Sequence, residues 1–281
     1  MWKVFFCLFP AILVGGYLYA SQASAFPHCH EALDFQWSDS NNPYLKELRI
    51  KFNLDEVVAE SQSDYDKVLA ITHWVHRLWE HHGKNQPEKN DPISIIEEAK
   101  QGKRFRCVEY GIVVAGCLNS LGIPARVLGL KTADMETREY GAGHVVTEAY
   151  LKEMEKWVMI DGQHDLIPLL DGKPLNAFEL RKALMTSRDL LSITGNVDPF
   201  RSNEYFDWIE EYLFYFDVPL DNRYLSNRSE EKVMLVPKGA NKPKVFQRKN
   251  PLKNVVYTES VQCFYQKPYL SAYEDSGDTG S

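Results

Sequence analysis

The chain has 281 residues, 44% of them hydrophobic and 25% charged, with a formal net charge of -7. That is enough for one large domain or a core with additions, and the composition is that of an ordinary globular protein. The acidic balance and the lack of a dominant basic patch exclude nucleic acid as the main partner.

The N-terminus stands apart. Lys3 precedes an apolar run over residues 4–20, and Ala23-Ser24-Ala25 follows it. A basic start, an apolar stretch and a small-x-small site describe a secretory signal peptide over residues 1–25, cleaved after Ala25. The alternative is an uncleaved anchor, because the run is near the lower limit for a spanning helix. The expected location is therefore periplasmic, secreted or cell-envelope, with membrane attachment only if the segment is retained.

Cleavage leaves Cys29, Cys107, Cys117 and Cys263. If residues 107–117 are helical, Cys107 and Cys117 are about 15 Å apart, too far to bridge. Cys29 and Cys263 lie near the two ends of the mature chain, and chain ends are often close. A Cys29–Cys263 disulfide with Cys107 free is the expectation, and four free thiols the alternative.

Residues 26–62 read as a mixed, polar N-terminal segment. A helix is expected from Ser63 or Asp64 to Gly83, with Val68, Ile71, Val75, Leu78 and Trp79 at helical spacing. A short helix follows from Asp91, its cap, to Gly102. From Cys107 the sequence is apolar almost all round, as in a central buried helix, until Gly122 and Pro124 end it. Residues 125–132 read as a strand and 133–143 as a loop. Residues 144–151 and 156–161 read as a hairpin joined by a short polar turn. A core over residues 63–165 follows. Beyond it, residues 166–272 read as an extension packed on that core. In it, 175–195 and 202–217 look helical, and 231–249 and 254–266 look like strands. The tail, 273–281, has a disordered composition.

Three residues carry a chemical pattern: Cys107, His144 and Asp161. Cys107 opens the buried helix, where free amide N–H groups and the macrodipole favour a thiolate. His144 begins one strand of the hairpin and Asp161 ends its partner. If Asp161 lies opposite Val146, its side chain falls on the His144 face, one diagonal step away. The carboxylate then fixes the imidazole, and the other ring nitrogen faces the thiol: nucleophile, base and orienter. The Cys107 amide is a natural oxyanion donor, with Gln101, Trp74 or Trp79 as candidates for a second. Glu109 and Glu148 are candidate cleft residues. His164 and Asp165 are rivals for base and orienter, and Cys117, in mid-helix, reads as inert core. His73, His76, His81 and His82 lack a carboxylate or Cys pair to complete a metal site. No EF-hand loop or dense carboxylate cluster is present, so neither metal nor cofactor is expected.

These motifs, with Leu121 to Arg126, the His144 and Glu148 pair, and Trp157 with Asp161, resemble the transglutaminase-like superfamily over about residues 60–165. The resemblance implies an α+β, papain-like fold with a central helix packed on an antiparallel sheet, and a Cys-His-Asp triad at Cys107, His144 and Asp161. It implies acyl transfer on amide bonds through a thioester, as protease, amidase, deamidase or transglutaminase, acting on protein or peptide substrates, cell-wall peptides among them. Val146, Gly162 and Arg106 stand where many members carry other residues. The alternative is a non-catalytic binding or assembly module on the same scaffold.

Overall fold

The computed structural model describes residues 33–194, 199–224, 227 and 229–269. Residues 1–25, where a signal peptide was expected, Cys29 and the 273–281 tail lie outside the described residues. The fold class is α+β, built around one helix and one six-stranded sheet.

The main helices that precede the sheet are α1 (Pro43–Lys51), α2 (Asp64–His76), α3 (Pro92–Lys100) and α4 (Cys107–Ser120), with a short helical turn, Leu54–Val57, between the first two. Each of the first three starts at a side-chain cap. Asn42 accepts from Tyr44 and Leu45, Ser63 from Asp66 and Asp91 from Ser94, satisfying amides that a helix start leaves free. The central helix α4 has apolar residues on almost every face, and Val113, Val114, Cys117 and Leu118 are fully buried. Helix α1 was not foreseen in the polar 26–62 segment. It buries Leu45 and Leu48 completely, and Leu48 joins the cluster around α4.

Helix α2 ends at His76, not at Gly83. After it the chain turns so that His82 N–H donates to the Phe105 carbonyl at 2.7 Å and the Trp79 carbonyl accepts from Tyr110 Oη at 2.6 Å. These tertiary bonds replace the last helical turns and fold Trp79 onto Tyr110, with ring centroids 4.4 Å apart.

The sheet strands are β1 (Ala125–Lys131), β2 (Gly143–Leu151), β3 (Lys156–Ile160), β4 (Tyr215–Pro219), β5 (Lys232–Leu235) and β6 (Val255–Thr258). Their order is β6-β5-β4-β1-β2-β3, antiparallel except for the parallel β5–β6 pair. The sheet is therefore mixed at one end. The extension does more than pack on a finished core, because its own strand β4 hydrogen-bonds to β1 and continues the sheet. The expected helix over 202–217 stops early: α6 is Pro199–Ile209, a 3-10 turn covers Glu210–Tyr212, and residues 215–219 are strand. Its aromatic run fits either period, and the open edge of β1 decides for strand. Likewise 175–195 contains α5 (Ala177–Thr186) and then a short strand, Leu191–Ile193. The 254–266 stretch ends in a helical turn, Val261–Phe264.

Alternation along the strands assigns the two faces. Ala149, Leu151, Val158 and Ile160 join the α1–α4 side, whereas Val146 and Met159 join a second core with Leu180, Phe206 and Ile209 of the extension. His144 and Asp161 follow the second set. His144 and Asp161 thus lie on the face that the extension covers.

Candidate active site

Cys107 is the first residue of α4 and is half-buried, with its thiol free. At that position its backbone N–H is one of the amides that an α-helix cannot satisfy internally. The helix start is fixed by Glu109, which accepts from the Arg106 backbone N–H at 3.0 Å and from the Arg106 guanidinium at 2.6 and 3.2 Å. Glu109 is fully buried in this cap and does not face an open cleft. Gly111 lets α4 approach β2 closely: a Cβ there would meet Val145 Cγ1 at 2.9 Å and the Val146 carbonyl at 3.2 Å. Thr147 Oγ1 adds a hydrogen bond to the Gly111 carbonyl at 3.0 Å. The thiol is thereby held at the end of β2 that carries His144.

The β2–β3 ladder starts at Thr147 opposite Ile160, so one further step sets Val146 opposite Asp161. His144 Nε2 and Asp161 Oδ2 are 2.8 Å apart, and both residues are buried. Cys107 is near enough to help raise the imidazole pKa, and with Nε2 on Asp161 the ring nitrogen left over is Nδ1. The structure thus brings Cys107, His144 and Asp161 together.

Asp161 has four donors. Gln163 and His164 amides reach Oδ1 at 3.1 and 3.2 Å, and Tyr205 Oη donates to Oδ2 at 3.1 Å beside His144. Burial opposes the Asp161 charge, but the His144 charge and hydrogen bond outweigh it and hold the carboxyl at about 2. Burial likewise opposes an imidazolium at His144, and the Asp161 charge and hydrogen bond, with a lesser part from Cys107, raise it to about 10. Low carboxyl and high imidazole are what an ion-paired base and orienter require.

Residues of the extension close this site. The Trp208 ring stands 4.9 Å from His144 and 4.9 Å from His164, and Tyr212 lies 6.2 Å from His144. Sequence reasoning missed Tyr205, Trp208 and Tyr212. In the sequence "WIEEYLFYF", which holds Trp208 and Tyr212, nothing local tells a site wall from core. His164, the rival base, is pushed below its usual range chiefly by burial and lends its backbone amide to Asp161. Asp165, the rival orienter, binds His73 at 2.7 Å.

The other candidates serve elsewhere. Gln101 is the exposed C-cap of α3. Trp74 packs on Phe52, with centroids 6.5 Å apart. Trp79 is different: it is buried against Tyr110 and Phe105, and its Nε1–H has no partner. Glu148 is fully buried and meets Arg126 at 2.8 Å, the Ala177 amide at 3.2 Å and Tyr265 Oη at 3.0 Å. It is a structural anion and does not line a cleft. Cys117 is wholly buried, and burial pushes its thiol up. Cys263 is in a disulfide, whereas its expected partner Cys29 lies outside the described residues. Among the described residues no three or more His, Cys, Asp or Glu side chains converge as metal ligands would, and no helix is long and apolar enough to cross a membrane.

Residues 53–162 match the transglutaminase-like superfamily, a stretch that includes Cys107, His144 and Asp161. The chain therefore carries a transglutaminase-like domain. Among solved structures it is similar to a candidate cysteine protease from Cytophaga hutchinsonii, with 18% identity, 59% of this chain and 56% of that one covered, and a TM-score of 0.35. It is also similar to a candidate protease from Parabacteroides distasonis (15% identity, 40% and 25% covered, TM-score 0.30). A third is a TGase (24% identity, 42% and 31% covered, TM-score 0.32). The chain spans less than two thirds of each of these, and none superposes closely enough to bear on chemistry. No curated protein matches it.

Proposed function

We propose that this protein is an exported cysteine-dependent acyl-transfer enzyme acting on amide bonds of proteins or peptides, cell-wall peptides among them. The observation that carries the reading is the buried His144–Asp161 pair at 2.8 Å facing a free Cys107 at a helix N-terminus. The imidazolium stabilises the thiolate, which attacks the carboxamide carbon. Negative charge develops on the oxygen, and the Cys107 amide and the unpartnered Trp79 Nε1–H supply the donors for it. His144 then protonates the leaving amine, and a thioester remains on Cys107. Neutral His144 takes a proton from the incoming water or amine, which completes hydrolysis or transamidation. The first half-reaction is common to both outcomes.

The test is alkylation of Cys107 across pH in the reduced, folded protein, read by peptide mass spectrometry, beside His144→Ala. Wild type should label at a distinctly lower pH than the variant, because the variant lacks the cation that holds the thiolate. Identical profiles would sink the reading and leave a binding scaffold in its place. Export is tested separately by the intact mass of the protein recovered from outside the cytoplasm, where loss of residues 1–25 is expected.

A further inference from the structure

The protein has a surface cavity of about 390 Å³. It lies between the β1–β2 loop, α5 and the turn after α6. Leu184 and Met185 form one apolar wall, and Leu213 and Phe214 the other. Tyr212, between the lining residues Glu211 and Leu213 in the chain, links the cavity to the candidate site: its ring stands 6.2 Å from His144.

The charged groups of the cavity are nearly all matched. Arg138 binds Glu211 at 3.0 Å and Asp134 at 3.1 Å, and Glu210 binds Arg188 at 2.9 Å. Among the described residues Arg181 has no carboxylate partner. One of its five donors reaches the Phe214 carbonyl at 3.3 Å, and the guanidinium lies 5.2 Å over the Phe214 ring. Burial of this cation, with no acid beside it, pulls its pKa down. A flat guanidinium fork left open in an apolar-walled cavity matches a carboxylate. One cation, on a chain of net charge -7, fits a single carboxylate and not a polyanion.

We propose that this cavity is a substrate subsite that takes an apolar residue and the adjoining carboxylate of an acidic peptide, with Arg181 as the carboxylate anchor. The proposal rests on the acyl-transfer reading and gives its substrate class.

The test uses chloroacetyl-Leu-Glu-amide, chloroacetyl-Leu-Gln-amide and chloroacetyl-Leu-Gln with a free C-terminus, together with iodoacetamide. In each chloroacetyl peptide the Cys107 thiolate displaces chloride, so no amide turnover is needed. A charge-assisted pair predicts labelling about tenfold faster for one carboxylate peptide than for the neutral amide. That ratio should collapse toward one in Arg181→Gln and survive in part in Arg181→Lys. The Glu-amide and free-acid arms tell a side-chain from a terminal carboxylate. Equal rates in wild type, or a preference that persists in Arg181→Gln, would overturn the subsite. If even iodoacetamide leaves Cys107 unlabelled while the unfolded chain is labelled, the acyl-transfer reading fails by itself. Calorimetry with acetyl-Leu-Glu-amide and acetyl-Leu-Gln-amide then decides the subsite. Tighter binding of the acidic peptide, lost in Arg181→Gln, supports it; equal binding overturns it.

Discussion

Tyr205 Oη donates to Asp161 Oδ2, the same oxygen that holds His144 Nε2. Tyr205 lies on α6, beyond the 53–162 match, so the extension contributes directly to the His144–Asp161 pair. The phenol is buried, and burial with the adjacent carboxylate raises it well above its usual range, so it stays a donor.

Tyr205→Phe keeps the ring and removes that donor. Loss of one hydrogen bond to a charged acceptor should cost about 1–3 kcal/mol, read from urea unfolding midpoints. The carboxylate becomes more basic, so the pH profile of Cys107 alkylation should also shift relative to wild type. Lost stability with an unmoved profile would make Tyr205 a core residue only.

The His144–Asp161 pair predicts a stability window. Asp161 sits at about 2 in the folded protein, against about 3.9 for an unfolded aspartate. Its folded pKa is lowered, so its contribution is present above pH 4 and disappears as pH falls through about 2. The amount is about 3 kcal/mol. His144 is raised to about 10, so its contribution is present below about pH 6.5 and disappears as pH rises through about 10. Urea midpoints across pH should therefore fall at both ends, and Asp161→Asn should flatten both slopes. In that variant burial acts on His144 without the opposing carboxylate charge, so its pKa should drop below the usual range. Proton NMR titration of the imidazole checks this.

Much of the placement of Cys107, His144 and Asp161 was legible because it is local. Helix caps and strand alternation are written in neighbouring residues, and they placed Cys107 at a helix start and His144 and Asp161 on one face. What sequence did not disclose depends on distant contacts. Residues 215–219 become strand because β1 offers an edge, and α2 stops early because Trp79 and His82 find partners around Phe105 and Tyr110. Glu109 and Glu148 looked like cleft acids, yet each is committed to an arginine, Arg106 and Arg126. An acidic side chain in a motif does not announce whether its partner is substrate or protein.

The Arg126–Glu148 pair ties the C-terminal segment to the sheet. Both side chains are fully buried, and Arg126 also donates to the Phe264 carbonyl at 2.9 Å and lies 4.3 Å from the Trp157 ring centroid. Removing one partner strands a buried charge, so Glu148→Leu should cost about 3–5 kcal/mol. The double variant Arg126→Met/Glu148→Leu should recover much of that loss. Limited proteolysis near residues 260–266 should rise in the single variant and fall back in the double, as the segment regains its seat.

Trp79 offers the sharpest separation of binding the thiol from performing the reaction. Its indole N–H is buried without a partner, beside the Tyr110 ring one helical turn from Cys107. In the proposed mechanism that donor meets charge only when the carbonyl oxygen becomes an oxyanion. Trp79→Phe should therefore lower kcat on a peptide amide by about 10²–10³-fold. Alkylation of Cys107 by iodoacetamide passes through no oxyanion, so its pH profile should hold. A matching shift in alkylation would show that the variant disturbs the start of α4 itself, and turnover unchanged from wild type would remove Trp79 from the oxyanion site.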